Sequence, residues 1–365
     1  MSTRRLPDWA DVILVPLISL LIAFAISGLV MLAIGEDPIR AMQIMVTGAL
    51  GSTYGWGYTL FYTTNFLFTG LAVSIAFRAR LFNIGGEGQV LLGGLGVALV
   101  VLFIPWPNWW TAMLAAMLAA ALFGALWALI PAWLQARRGS HIVITTIMFN
   151  FIAFSLLSYL LSHVLRPSGS MEPASARFPR ELRLPRLHDI LEPLGIEFSR
   201  SGLANVMLFV ALLACVLAWV MLWRTRLGYE IRAFGQSEPA AHYAGISSTR
   251  IIIVVMLISG ALSGMMAVNA TMGGPGRLMM NAAEGAGFIG IAVALMGRSH
   301  PFGIIPAALL FGFLYQGGSE LALETSIPRE MIIIIQALVI LFTGALDNMV
   351  RQPLRALFAA ARSRG

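Results

Sequence analysis

The chain is built from long apolar runs separated by polar connections, and this alternation limits its fold more than any other feature. A helix needs roughly 20 apolar residues to cross a bilayer, or fewer where it is broken and packed against protein. Ten runs qualify, although the eighth is too short to cross without its neighbours. They lie near residues 12–34, 56–77, 82–104, 111–134, 141–164, 203–223, 251–271, 285–297, 302–322 and 331–346. The sequence predicts an all-α polytopic membrane protein with about ten transmembrane helices in one transmembrane domain, residues 1–365.

The composition supports a membrane protein and excludes some kinds of enzyme. Hydrophobic residues make up 58% of the chain and charged residues 11%, whereas soluble domains carry about 25% charged residues. All 24 basic residues are arginine, and the chain contains no lysine. Walker A motifs and Schiff-base enzymes both need lysine. If a membrane protein without a Walker A motif transports a solute, it uses either an ion gradient or the energy of ATP bound by a separate subunit.

The distribution of arginine predicts the orientation in the membrane, because short cytoplasmic loops retain an excess of basic residues. With the N-terminus inside, fifteen arginines are cytoplasmic and nine are outside, and six of these nine lie in the mixed-charge loop 165–202. Long loops carry little weight in this rule. We therefore predict cytoplasmic N- and C-termini and a long periplasmic loop at 165–202, which is either a spacer or a landing surface for an external protein. The net charge of +7 then reflects basic loops on one membrane face, not nucleic-acid binding.

The longest basic connection between two apolar runs is 224–250, which we place in the cytoplasm. Ser237 can cap a short helix that has Glu238 and Pro239 in its first turn. Gly245 is a helix-terminating residue. The pattern predicts a short helix lying across the membrane surface, which is either an ordinary amphipathic connector or a contact for a soluble partner.

Two similar motifs occur in the two halves of the chain. Residues 83–89 read Asn-Ile-Gly-Gly-Glu-Gly-Gln, and residues 281–287 read Asn-Ala-Ala-Glu-Gly-Ala-Gly. Each places an asparagine and a glutamate before a glycine-rich helix, and an odd number of spans separates them. They would enter the membrane from opposite faces, as in transporters built from inverted repeats. We predict an inverted repeat of two five-span halves.

Several polar side chains lie within or beside apolar runs, where unpaired polar groups are costly. Asn83 and Glu87 either line a transport pathway or begin a helix, and Asn150 either lines the pathway or forms a hydrogen bond between helices. The candidate pathway residues are Asn83, Glu87, Gln89, Asn150, Asn269, Glu284 and Gln316, with Asn65 a weaker candidate.

No arrangement of side chains indicates catalysis or a bound cofactor. The five histidines lack ligand spacing, so a metal site is not expected. Cys215 is the only cysteine, which rules out an internal disulfide framework. The sequence 285–290 fits G-x-G-x-x-G, but no strand precedes it, so it does not predict dinucleotide binding. We expect a protein that is not an enzyme.

The loop 224–250 carries the first resemblance to a known family. Residues 224–235 fit R-T-R-x-G-Y-E-x-R-A-x-G, and residues 238–246 fit E-P-A-A-x-Y-A-G-I. This resembles the coupling loop of ABC-importer permeases of the ribose, branched-chain amino acid and nucleoside superfamily. In that family the loop docks a short helix into a cleft of the ATPase subunit. The resemblance assigns this contact to Gly235, Ser237, Glu238, Pro239, Ala240, Ala241, Tyr243 and Gly245.

Three further motifs resemble the nucleoside and simple-sugar branch of these permeases. Residues 82–89 match its pattern F-N-I-G-x-E-G-Q in full, and residues 287–318 resemble its late core segment. Residues 137–153 resemble a third element but have Ile142 where the branch usually has glutamate, and Phe149 where it has leucine. The function of that glutamate is therefore in doubt here.

The resemblance implies the permease subunit of an importer that takes up nucleosides or, alternatively, a simple sugar or a branched-chain amino acid. It implies a bacterial inner-membrane complex with a second, related permease, a cytoplasmic ATPase that binds the ATP, and a periplasmic or lipid-anchored substrate-binding protein. An ion-coupled carrier is the alternative of another class, but such carriers usually place acids or histidines at mid-span. The uncharged amides among the candidates, and the lack of arginine there, favour a neutral ligand.

Overall fold

The computed structural model describes residues 14–33 and 35–325, together with 333–335, 337, 338, 341 and 353. The described helices are α1 (Val15–Ala33), α2 (Pro38–Leu50), α3 (Thr53–Arg78), α4 (Gly86–Phe103), α5 (Trp109–Arg138), α6 (Ile142–His163), α7 (Leu187–Leu191), α8 (Met207–Arg224), α9 (Arg226–Gln236), α10 (Glu238–Tyr243), α11 (Ser248–Val268), α12 (Ala286–Met296) and α13 (Pro301–Glu324). Short 3₁₀ turns cover Arg180–Leu182 and Glu192–Leu194, and a π-helical turn, Asn269–Gly273, continues α11.

The all-α membrane architecture is confirmed. Nine of the ten predicted runs coincide with helices, and seven helices in the described part are long and apolar enough to cross a membrane. α12 is short, as its run of apolar residues predicts. The tenth run, 331–346, lies largely outside the described residues, so the count of ten and the orientation remain predictions.

Two compact units divide the chain, and the first comprises residues 1–51 and 313–365. It contains α2, a helix that the search for apolar runs did not predict. The Asp37 carboxylate caps this helix by accepting a hydrogen bond from the backbone N–H of Ile39 at 2.9 Å, and Pro38 occupies its first turn. Such a cap followed by proline is a helix-start signal, so the information was present in the sequence.

The second unit, Ser52–Gly312, is built around three mostly buried helices, α3, α4 and α11. α5, α6 and α8 are equally apolar but expose most of their surface. Leu118 is 74% exposed and Phe151 is 65% exposed, for example. Large apolar side chains that face outwards along whole helices are expected where the surrounding medium is lipid.

α5 and α11 pack closely because small residues face one another where they cross. A Cβ on Gly124 would collide with the Gly260 carbonyl oxygen, and a Cβ on Gly264 would collide with the Ala120 carbonyl oxygen. Small residues four positions apart allow helices in membranes to approach in this way. Gly124, Gly260 and Gly264 thus let the backbones of α5 and α11 approach closely.

The loop 165–202 is ordered and packs against the segment that follows the π-helical turn. The Ser175 backbone N–H donates to the Leu278 carbonyl at 2.9 Å, and the Phe178 N–H donates to the Gly276 carbonyl at 2.7 Å. Arg277 and Glu172 form an ion pair at 2.8 Å. The loop is therefore more than a connection between α6 and α8, since it holds residues 276–278 in place.

Candidate functional site

The motif at 82–89 ties three helices of the second unit together. Asn83 Nδ2 donates to Gln89 Oε1 at 3.0 Å and to Ser259 Oγ at 2.8 Å. Ser259 Oγ donates in turn to the Ala72 carbonyl at 2.7 Å. These buried amides satisfy one another and join α3, the start of α4, and α11. Buried polar groups that are fully bonded in this manner stabilise one specific packing.

Asn150 holds the beginning of α4 from the neighbouring helix α6. Its Oδ1 accepts from the Gly88 backbone N–H at 2.9 Å, and its Nδ2 donates to the Ile84 carbonyl at 2.8 Å. Both bonds use backbone groups that a helix start leaves unpaired. Ile142, which replaces the glutamate of the resembled motif, is buried at the first position of α6.

Glu87 joins the two similar motifs of the chain to each other. Its two carboxylate oxygens accept from the backbone N–H groups of Gly285 at 2.9 Å and Gly287 at 3.0 Å. The backbone turns into α12 with positive φ at Glu284 (47°) and Gly285 (78°). Because Glu87 is itself in the first turn of α4, the N-termini of α4 and α12 meet at this carboxylate. Negative charge is stabilised at a helix N-terminus.

A second amide cluster surrounds Asn269, at the change from α-helix to π-helical turn. Asn269 Nδ2 donates to Asn65 Oδ1 at 2.7 Å and to the Phe61 carbonyl at 3.1 Å. Asn269 Oδ1 accepts from Asn205 Nδ2 at 2.8 Å. Asn205 was not predicted from the sequence, although asparagine before an apolar run is a typical helix-start signal. In the structure its side chain accepts from the Met207 N–H at 3.0 Å, at the start of α8.

A cavity of about 190 Å³ lies beside this cluster. Its walls come from α3 and from the irregular segment 270–284, and its rim residues Pro275, Asn281 and Glu284 are exposed. The residues that line it are Phe61, Tyr62, Asn65, Leu203, Ala270, Gly274, Pro275, Arg277, Met279, Asn281, Ala282 and Glu284. Two sequence candidates, Asn65 and Glu284, therefore reach one cavity.

Arg277 is the cationic side chain in this wall, and sequence reasoning missed it as a cavity residue. In the sequence, Arg277 is one of the nine arginines that we place outside the membrane. Its guanidinium pairs with the Glu172 carboxylate at 2.8 Å, and it is only 20% exposed. The Glu172 carboxylate balances the positive charge of Arg277, so Arg277 does not by itself make the cavity selective for anions.

The loop 224–250 contains two helices where the sequence predicted one. Ser237 Oγ accepts from the Ala240 N–H at 3.4 Å, and α10 ends before Gly245, which has a φ of 81°. The predicted cap and stop are therefore confirmed. α9 precedes α10 and was not predicted. Tyr243 is 93% exposed, whereas Ala241 is 3% exposed and packs inside the chain.

The loop 224–250 packs against the end of α3, which in turn bonds to the connection after α12. Gly235 lies so close to the Arg78 carbonyl that a Cβ would collide with it. Arg78 Nε donates to the Ser299 carbonyl at 2.9 Å, in the connection after α12. Burial lowers the pKa of His300 in this connection, and the Arg78 guanidinium lowers that pKa further.

A polar cavity of about 500 Å³ opens beside the start of α10. It is bounded by the connection between α3 and α4, including Arg80, by Gln135 near the end of α5, and by the start of α11. Ser237, Glu238 and Pro239 contribute to the same wall. No group of histidine, cysteine or acidic residues suited to a metal ion occurs in the part of the chain that the structure describes.

Comparison with known proteins identifies the family. Residues 55–344 match the family described as the branched-chain amino acid transport system / permease component. The chain belongs to this permease family. The permease is therefore a transport subunit and a multi-pass membrane protein.

Named relatives of the permease match nearly its whole length. The glucose ABC transporter permease protein TsgB13 of Haloferax volcanii is 36% identical over 340 residues, which are 93% of this chain and 88% of TsgB13. The guanosine ABC transporter permease protein NupP of Bacillus subtilis is 37% identical over 341 residues, which are 91% of this chain and 93% of NupP. A second Bacillus subtilis protein, the guanosine ABC transporter permease protein NupQ, is 27% identical over 290 residues, which are 74% of this chain and 84% of NupQ.

The candidate pathway residues fall into separate places in the permease. Asn83 bonds to Gln89 and to Ser259 of α11, Asn150 bonds to the start of α4, and Glu87 bonds to the start of α12. Gln316 lies in the first unit, where its Nε2 donates to Glu320 Oε1 at 2.9 Å on the same helix. The part that each of these residues takes in transport remains a prediction.

Proposed function

We propose that this permease is the membrane subunit of an ATP-driven importer that takes up nucleosides. The observation that carries the proposal is the cavity at α3, where amide groups lie beside the aromatic rings of Phe61 and Tyr62. Aromatic rings suit a nucleobase, and amides suit its hydrogen-bonding edge. The guanosine-named relatives and the full match at 82–89 support the same substrate class.

The coupling loop supports the source of energy. α10 presents an exposed tyrosine, Tyr243, at its C-terminal end, and the polar cavity opens beside its N-terminal end. A large exposed aromatic side chain on a short helix is typical of an interface anchor. We propose that a cytoplasmic ATPase receives this helix and binds the ATP, and that this chain itself holds no cofactor.

Two further partners complete the proposed complex. The ordered loop 165–202 offers a surface to a substrate-binding protein on the opposite side of the membrane from the coupling loop. NupP and NupQ are two different guanosine permeases of one organism and both resemble this chain. This favours a heterodimer with a second permease, in a bacterial inner membrane.

Uptake of a simple sugar is the second candidate. TsgB13 is named for glucose and is almost as similar to this chain as NupP. A sugar would use the same amides with less need of the aromatic rings. Import of a branched-chain amino acid is less well supported, because it would require a partner for the ligand's charged carboxylate, and Arg277 already pairs with Glu172.

The test is ATP hydrolysis by the complete complex, reconstituted in proteoliposomes with its ATPase, second permease and binding protein. Guanosine, adenosine, ribose, glucose and leucine would be added one at a time. We expect nucleosides to stimulate hydrolysis. Stimulation by a sugar or leucine, with no response to either nucleoside, would refute the proposal that the substrate is a nucleoside. Uptake driven by an ion gradient without ATP would refute the proposal that import is driven by ATP.

A further inference from the structure

The hydrogen bonds around Asn269 fix the orientation of the Asn65 side chain. Asn269 Nδ2 donates to the Phe61 carbonyl, which can only accept, and to Asn65 Oδ1 at 2.7 Å. Asn269 Oδ1 accepts from Asn205 Nδ2, which also donates to the Leu203 carbonyl at 3.0 Å. The two backbone carbonyls thereby determine which end of each amide is oxygen. The oxygen of Asn65 therefore faces Asn269.

The amide nitrogen of Asn65 remains as a donor for something else. It makes no hydrogen bond to any residue in the described part of the chain, although Asn65 is only 5% exposed. Asn65 lines the cavity beside α3. A free donor at a cavity wall, on a side chain whose opposite end is held in place, is the arrangement expected of a ligand-binding group.

The remainder of the wall indicates what that ligand is. Most lining residues are apolar or aromatic, including Phe61, Leu203 and Met279. The one arginine in the wall is neutralised by Glu172. A flat, uncharged ring that presents a hydrogen-bond acceptor at its edge matches this surface. The volume of about 190 Å³ is below the roughly 300–1,000 Å³ of drug-sized pockets, so the cavity suits one ring system and not a whole nucleoside.

We propose that this cavity binds the nucleobase of the transported nucleoside and that Asn65 donates a hydrogen bond to an acceptor on the base. This assignment rests on the proposed function. Asn269 and Asn205 are positioning residues, because they orient Asn65 without lining the cavity. The sugar lies towards the exposed rim at Pro275 and Asn281.

The variant Asn65→Asp tests the donor selectively. Aspartate keeps an oxygen that accepts from Asn269 and replaces the cavity-facing nitrogen by a second oxygen. In the reconstituted complex we expect the KM for guanosine uptake to rise about 10- to 100-fold, because a donor is lost and an acceptor meets an acceptor. The matched control is Thr64→Val. Thr64 is the neighbouring buried residue on α3, and its hydroxyl donates to the Leu60 carbonyl of its own helix at 2.8 Å.

Thiol protection provides a second measurement that does not depend on Asn65→Asp folding. Ala282 lines the cavity and is partly exposed. In a Cys215→Ala background, guanosine should slow the modification of Ala282→Cys by a small thiol reagent and leave Ser170→Cys in the external loop unaffected.

The outcomes separate this inference from the proposed function. If the wild-type complex imports guanosine, an unchanged KM in Asn65→Asp or unprotected Ala282→Cys overturns the nucleobase site and leaves the importer standing. If the wild-type complex imports no nucleoside, the proposed substrate class is refuted, and the assignment of the cavity to a nucleobase is refuted as well.

Discussion

The bond between Glu87 and the start of α12 makes the sharpest prediction about this fold. Glu87→Gln preserves the shape of the side chain but leaves one acceptor for two backbone donors, at Gly285 and Gly287. The amide NH₂ then faces an N–H group, so one hydrogen bond is lost and one donor is left unsatisfied. The negative charge between two helix N-termini is lost as well.

The size of the effect follows from the bonds that are removed. A hydrogen bond to a charged group contributes about 1.5–3 kcal/mol in soluble proteins, while hydrogen bonds between membrane helices contribute about 0.6–1.7 kcal/mol. We therefore expect Glu87→Gln to destabilise the permease by about 1–3 kcal/mol. For a unit of this size, each kcal/mol lowers the Tm by about 2–4 °C.

The assay is thermal unfolding of the purified permease in detergent, with guanosine uptake measured in parallel. Glu320→Gln is the matched control, because Glu320 accepts from Gln316 one turn earlier on the same helix, and this bond does not join two of the described helices. We expect a larger loss of Tm for Glu87→Gln than for the control. Equal melting temperatures for the two variants would refute the idea that Glu87 joins α4 to α12.

Two further predictions concern orientation and coupling. Single cysteines at Ser237→Cys and Ser170→Cys, in a Cys215→Ala background, should react with an impermeant reagent from opposite sides of the membrane. Reaction of Ser237→Cys from outside in intact cells would contradict the cytoplasmic coupling loop. Tyr243→Ala removes an almost fully exposed ring and should uncouple ATP hydrolysis from uptake while the Tm stays unchanged, whereas Ala241→Asp places a charge at a buried position and should lower the Tm as well. Wild-type uptake by Tyr243→Ala would remove this residue from the contact with the ATPase.

Local signals in the sequence were enough for much of the helical framework. Long apolar runs placed the membrane helices within a few residues, and Ser237 with Gly245 defined the limits of α10. α9 was not predicted, because its amphipathic residues were assigned to a polar connection. Asp37 marks the start of α2, but a search for runs of about 20 residues passes over a helix of 13.

The cavity could not be predicted because its walls come from distant parts of the chain. Asn65 is on α3, Leu203 follows the loop 165–202, and Arg277 follows the π-helical turn. Single-residue reasoning selected Asn269 but not its partner Asn205, and only the three-dimensional packing shows that Asn269 bonds to both Asn205 and Asn65. From the sequence, the amides of Asn83 and Gln89 are as well suited to bind a ligand as Asn65 is. The structure shows that they bond to each other.

The meeting of two helix N-termini at Glu87 has a consequence for phosphorylated compounds. Two N-termini directed at one point would form a ready phosphate-binding site, but in this permease the carboxylate already fills it. A phosphate that approached the junction would meet negative charge in place of free N–H groups. The junction of the two helix starts is therefore occupied by the protein's own carboxylate and is not a phosphate-binding site.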